Sequence, residues 1–163
     1  MAARLGHNRS EVKFMAPVKS QSSLTPTAFG LAIQALVFLS ASDNVCPSQQ
    51  IAQNMKSGTT FMRRMMSPLV RAGLVEAREG RDGGYILAQP ADRITVADVY
   101  RAVQMSDPLK TGLLESTTDC PNGQAVKSVF REMTDQTENS MLEIYARYTI
   151  ADIAARAAAS LAR

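Results

Sequence analysis

The stretch from residue 48 to residue 87 constrains this chain more than any other. It reads as helix, turn, helix and then a glycine-tipped hairpin. Ser48 has the side chain of a helix N-cap, and Ile51, Ala52 and Met55 follow at helical spacing. Lys56-Ser57-Gly58 is a short polar turn. A second helix is predicted from Thr59, with Phe61, Met62, Met65, Met66 and Leu69 on one side. Thr60, Arg63, Arg64 and Arg71 fall largely outside that stripe. Gly73 stands where a left-handed residue closes a helix. Residues 74–78 and 85–88 then read as two short strands, with Gly80, Gly83 and Gly84 between them and Arg81 near the tip. Two short helices, a tight turn and a basic hairpin make the winged helix-turn-helix pattern.

A helix that buries methionines on one side and presents Thr and Arg on the other suits a major groove. Arginine forks match guanine edges and phosphates, and threonine meets a base edge or a thymine methyl. An arginine near a wing tip suits a narrow minor groove. The candidate DNA-binding residues are therefore Ser48, Gln49, Thr59, Thr60, Arg63 and Arg64 on the helices. Arg78, Arg81, Gly83 and Gly84 are the candidates on the wing. The acidic Glu76, Glu79 and Asp82 in the same hairpin favour the alternative, a winged module used for protein contacts alone.

The rest of the chain fits one domain with an appendage. Its 163 residues suffice for a real core. A net charge of +3 is only weakly in favour of a polyanionic partner. No apolar run is long enough to span a membrane, and no secretory signal is recognisable, so a cytoplasmic protein is expected. Residues 1–23 read as a flexible N-terminal extension. Thr25-Pro26 opens an apolar helix that serves as the platform under the helix-turn-helix. The winged domain spans 24–104 and ends in a short helix, Val96–Val103, where Thr95 and Asp98 have capping-box spacing. Residues 105–122, with Pro108, Gly112 and Pro121, read as a linker loop with at most a turn of helix around Leu113-Leu114.

Residues 123–163 form a helical dimerisation region. From 123 to 148 no glycine or proline interrupts the chain after Gly123. Val126, Val129, Phe130, Met133, Thr137, Met141, Ile144 and Tyr148 recur every three or four residues. Such a helix is too long to pack on a small winged domain alone, so pairing with a symmetry mate is expected. Thr149 then caps a last helix over 150–162, with Asp152 three residues on. The expected fold is mainly α, a winged helix-turn-helix domain with a two-stranded wing plus a long C-terminal dimerisation helix.

Catalytic machinery is not legible. The only histidine, His7, lies in the extension, and the glycine hairpin lacks the helix and Lys-Ser/Thr of a phosphate-binding loop. An enzyme is not expected. Two cysteines, Cys46 and Cys120, are too few for a disulfide framework or a cysteine zinc site. Cys46 reads as structural. Cys120 precedes the long helix, whose N-terminus favours thiolate, while Asp119 opposes it. It is the candidate redox or electrophile sensor; the competing reading makes it a buried packing residue.

Three segments together resemble the Rrf-type (Rrf two) family of bacterial repressors. They are Ala72-Gly73-Leu74-Val75, Gly83-Gly84-Tyr85-Ile86-Leu87-Ala88 and Ile94-Thr95-Val96-Ala97-Asp98-Val99. Cys120-Pro121-Asn122-Gly123 and Tyr148-Thr149-Ile150-Ala151-Asp152-Ile153 resemble its C-terminal half. The resemblance covers residues 24–155 and implies a homodimeric winged-helix regulator, a repressor, on a palindromic double-stranded DNA operator. Relatives that hold an iron–sulfur cluster place three cysteines between the wing domain and the long helix. Here that segment carries only Cys120, which points to a cluster-less subgroup; a cluster-bearing regulator is the alternative. Family wings often read Arg-Gly before the glycine pair. Here Glu79-Gly80 stands there, so a minor-groove role moves to Arg78 or Arg81.

Overall fold

The computed structural model describes residues 25–105 and 107–162. The expected N-terminal extension lies outside them. Helix α1, Pro26–Ser40, is opened by Thr25, whose hydroxyl accepts the Ala28 N–H, with Pro26 in the first turn. Its Ala28, Ala32, Ala35, Leu36 and Leu39 are buried, so it is the platform under the helix-turn-helix. Helices α2, Ser48–Asn54, and α3, Thr59–Arg71, pack on it. The N-cap of α2 is Pro47 rather than Ser48. Pro47 keeps an extended backbone while its carbonyl accepts the Gln50 and Ile51 N–H groups, which places Ser48 inside the first turn.

In α3 the buried side chains are Met62, Met65, Met66 and Leu69, a spacing of i, i+3, i+4 and i+7. Flexible thioether chains suit the irregular gap beneath a short helix. Phe61 does not join them. It sits about 90° around the helix from the centre of that stripe and is 37% exposed. Gly73, with φ of +70°, closes α3 as expected: its N–H donates to Val70 and the Leu74 N–H to Leu69, both at 3.0 Å.

Strands β1, Val75–Arg78, and β2, Gly84–Leu87, form an antiparallel wing. A 3-10 turn, Ala91–Arg93, leads to α4, Val96–Val103, whose capping box forms between Thr95 and Asp98. The segment read as a linker loop instead contains a helix, α5, Pro108–Glu115. Asp107 caps it, accepting the Leu109 and Lys110 N–H groups, and Pro108 sits where its missing N–H costs nothing. What holds α5 in place is distant in sequence. The Lys110 ammonium reaches Asp135 at 2.6 Å and Glu138 at 3.2 Å on the long helix.

That long helix, α6, runs Pro121–Tyr145, 25 residues, rather than 123–148. It stops early because the chain turns to make a second, distant contact. The Tyr148 carbonyl accepts the Val96 N–H, and the Ile94 carbonyl accepts the Ile150 N–H, both at 2.9 Å. Thr95 and Thr149 thus face one another in a one-rung antiparallel bridge. Each caps its own helix through the same Thr-apolar-Ala-Asp order, Thr95 for α4 and Thr149 for α7, Ile150–Leu161. The bridge clasps the C-terminal end of α6 to the winged domain. Ile150 then enters the common core, and α7 lies along α1.

Candidate nucleic-acid interface

The wing is held by its own glycines. Cys46, buried just before α2, donates its N–H to the Tyr85 carbonyl at 2.8 Å and accepts the Tyr85 N–H at 2.9 Å. This adds a third, one-residue strand to β2 and ties the entrance of α2 to the hairpin. A Cβ on Gly84 would lie 2.1 Å from the Cys46 carbonyl oxygen, and one on Gly83 would lie 2.4 Å from that of Arg78. Both glycines are therefore demanded by the protein's own backbone. Gly80, at φ +111°, makes the turn at the tip.

Between the start of α2, the outer side of α3 and this hairpin lies an open cleft of about 450 Å³. It brings together Ser48, Arg63, Arg78, Gly83 and Gly84. Gln49, Thr59, Thr60 and Arg64 are exposed on the helices but lie outside the cleft, and Arg81 is exposed near the tip of the hairpin. Arg78 makes an ion pair with Glu76, Nε to Oε1 at 3.2 Å, on a solvated strand face. Exposed pairs of this kind are worth about 0–1 kcal/mol, so a phosphate competes readily for that guanidinium. Arg63, Arg64 and Arg81 take part in no ion pair among the described residues. No acidic residue occupies the first turn of α3, so the positive end of its dipole is not cancelled. Glu79 borders the cleft and opposes this cationic character at one edge.

Cys120 does not line this cleft. It is exposed and is the N-cap of α6, where its Sγ accepts the Gly123 N–H at 3.3 Å. The Thr118 hydroxyl stands 3.2 Å from the same sulfur. These two contacts, that of Thr118 foremost, hold the thiol below its ordinary pKa. The reading of Cys120 as a buried packing residue is thereby corrected, for the packing at this corner belongs to Gly123. That glycine is buried, and its Cα comes so close to Thr118 that a Cβ would lie 2.1 Å from the Thr118 carbonyl oxygen.

One group of side chains had no signal in the sequence. Phe29 of α1, Tyr100 of α4 and Tyr145 of α6 meet at centroid separations of 5.7, 5.9 and 6.1 Å. Each has an unremarkable place in its own helix, and only the packing of three helices joins them.

A helix with outward arginines and threonines, set beside a wing with further arginines, defines a winged helix-turn-helix DNA-binding protein. Residues 25–156 match the Rrf2 family, described as iron-dependent transcriptional regulators, and the chain belongs to that family. It is 33% identical over 98 residues to YwgB of Bacillus subtilis strain 168, named as an HTH-type transcriptional regulator. That match spans 59% of this chain and 63% of YwgB, just under two thirds of the relative's length. Protein aau3 of Rhizobium meliloti strain 1021 is 29% identical over 125 residues, covering 75% of this chain and 79% of aau3. The solved structure of CymR, the global cysteine regulator of B. subtilis, has the same fold. It aligns with a TM-score of 0.58 at 22% identity, over 82% of this chain and 97% of CymR.

The chain is thus a DNA-binding transcriptional regulator, and the alternative of a winged module without DNA is set aside. The iron in the family's description finds no matching donor set in the described residues. Cys46 is buried beside the wing, Cys120 stands alone at the start of α6, and no group of three or more His, Cys, Asp or Glu converges among the described residues. A cluster held mainly by thiolates does not fit two separated cysteines.

Proposed function

We propose that this chain is a homodimeric repressor acting in the bacterial cytoplasm, regulatory rather than catalytic, and gated by the Cys120 thiol. The observation that carries the dimer is the uncovered apolar stripe of α6. In the single chain Val129 is 61% exposed, Ile144 51% and Met133 47%, with Val126 also open. An amphipathic helix leaves such a stripe bare only when another surface covers it, and a two-fold mate does so isologously. Two recognition helices held by paired α6 helices would meet successive major grooves about 34 Å apart on a palindrome.

Ser48, Gln49, Thr59, Thr60, Arg63 and Arg64 read the major groove in this scheme, and Arg78 and Arg81 reach the flanking minor groove or phosphates. The cleft that joins Arg63 to Arg78 supports this assignment. Cys120 is exposed, carries a pKa-lowering environment and caps the dimer helix, which supports a thiol switch. Oxidation or alkylation there adds bulk and polarity to the sulfur that engages the Gly123 N–H and the Thr118 hydroxyl, and so disturbs the first turn of α6.

The test is a mobility shift on the DNA upstream of the chain's own coding region, with a salt titration. Arg63→Ala and Arg64→Ala should each weaken binding, by about 1–3 kcal/mol where the side chain reads a base. Arg81→Ala should lower the salt slope by about one unit if it meets a phosphate. Unchanged affinity and salt slope in all three variants would overturn the assignment.

A further inference from the structure

At the junction of α1, α4, α5 and α6 lies a pocket of about 300 Å³. That is the lower end of the size range of small-molecule sites, about 300–1,000 Å³. Its walls are mainly apolar and aromatic: Phe29, Tyr100, Tyr145, Met105 and Met141, with Asp107 as the charged member. The three rings contact one another edge-on or tilted, so they form a continuous wall rather than a plug. Asp107 uses Oδ1 to cap α5, while its Oδ2 takes no hydrogen bond among the described residues.

Carboxylates outweigh the nearby cation in the electrostatics of this junction. Asp107 and Glu138 both act on the Tyr100 phenol and, with burial as the largest cause, raise its pKa. The cation close by, Lys110, is already held by Asp135 and Glu138. An anion entering here would meet carboxylates and find that ammonium taken. A flat cation would find ring faces and an available carboxylate oxygen.

We propose that this junction is a binding site for a small planar aromatic cation, stacked on the Tyr100–Tyr145–Phe29 wall with its charge toward Asp107. Such a ligand touches α1 and α4 of the winged domain and α6 of the dimer arm at once. It therefore acts on the angle between them. Its role as an effector rests on the DNA-regulator reading; the binding itself does not, and the measurement below contains no DNA.

The experiment is calorimetric titration of the full-length protein with N-methylquinolinium, with quinoline as its neutral counterpart at neutral pH, and with naphthoate as the anion. The cation should bind saturably, roughly tenfold tighter than quinoline, and naphthoate should not saturate. Asp107→Asn keeps the helix cap, since Asn caps as well as Asp, and should abolish the preference for the cation while leaving quinoline unchanged. Met141→Trp fills the pocket and should block all binding. Tyr145→Leu removes one ring and should weaken the cation even if the tryptophan variant fails to fold. Absence of saturable cation binding overturns the proposal, as does equal affinity for naphthoate. So does cation affinity untouched by both Asp107→Asn and Tyr145→Leu.

Discussion

Replacing Gly84 by alanine probes the joint between the wing and the helix-turn-helix. The new Cβ would stand 2.1 Å from the Cys46 carbonyl oxygen, with the Cys46 carbonyl carbon at 2.6 Å and the Pro47 Cα at 2.9 Å. All three are backbone atoms, so no rotamer change relieves the contact. Relief requires β2 and the strand at Cys46 to separate by about 1 Å, an overpacking cost of about 1–3 kcal/mol. It also stretches the two Cys46–Tyr85 hydrogen bonds, each worth about 1 kcal/mol. The expected loss is about 2–4 kcal/mol, a large part of a typical domain stability of about 5–15 kcal/mol. With a urea slope of about 2 kcal/mol/M, the midpoint should fall by about 1–2 M at fixed protein concentration. Gly30→Ala is the control, because a Cβ there meets nothing within 4 Å on α1. It should raise stability by about 0.5–1 kcal/mol. A Gly84→Ala midpoint equal to that of wild type would refute the packing argument and return the glycine's importance to close approach of DNA.

Ile144→Asp should split the proposed dimer without unfolding the chain. The side chain is half exposed in the single protomer, so an aspartate is solvated there but buried and unpaired against a mate. Sedimentation should show dimer affinity lower by roughly a hundredfold or more, with helical circular dichroism retained; a stable dimer would place the interface elsewhere. The Cys120 thiol should react with iodoacetamide at lower pH than a free cysteine, because the depressed pKa raises the thiolate fraction below the usual midpoint. Thr118→Val removes the largest cause of that depression and should move the rate profile back to higher pH. An unmoved profile would show that Thr118 does not tune the thiol. Peroxide should release wild type from DNA, reversibly by thiol reductant, and leave Cys120→Ser bound; equal responses would move the sensor elsewhere.

Much of this protein was legible in its residues because the signals involved are local. The stripe of Met62, Met65, Met66 and Leu69, the left-handed Gly73 and the capping boxes of Thr95 and Thr149 rest on contacts within a few residues. The antiparallel wing closes over a short hairpin from Val75 to Leu87, and the apolar repeat of α6 follows from periodicity, while its exposure is a finding of the structure. Phe61 was misplaced because a stripe's edge is set by the neighbour it meets, and Ser48 because the preceding proline took the cap. Tertiary structure decided the rest. Helix α5 has local start signals in Asp107 and Pro108, but its docking on α6, where Lys110 reaches acids 25 and 28 residues away, is a contact no window over residues 105–122 contains. The Thr95–Thr149 bridge ends α6 early by spending the Tyr148 carbonyl on a strand-like contact more than fifty residues back. The need for Gly84 comes from Cys46, which is distant in sequence and lies against it, whereas Gly83 is crowded by the hairpin's own backbone at Arg78. In the same way the aromatic pocket exists only because α1, α4 and α6 each contribute one ring. Periodicity and capping are short-range and survive in the linear order; which distant groups satisfy one another depends on how the helices dock, and that is settled only in three dimensions.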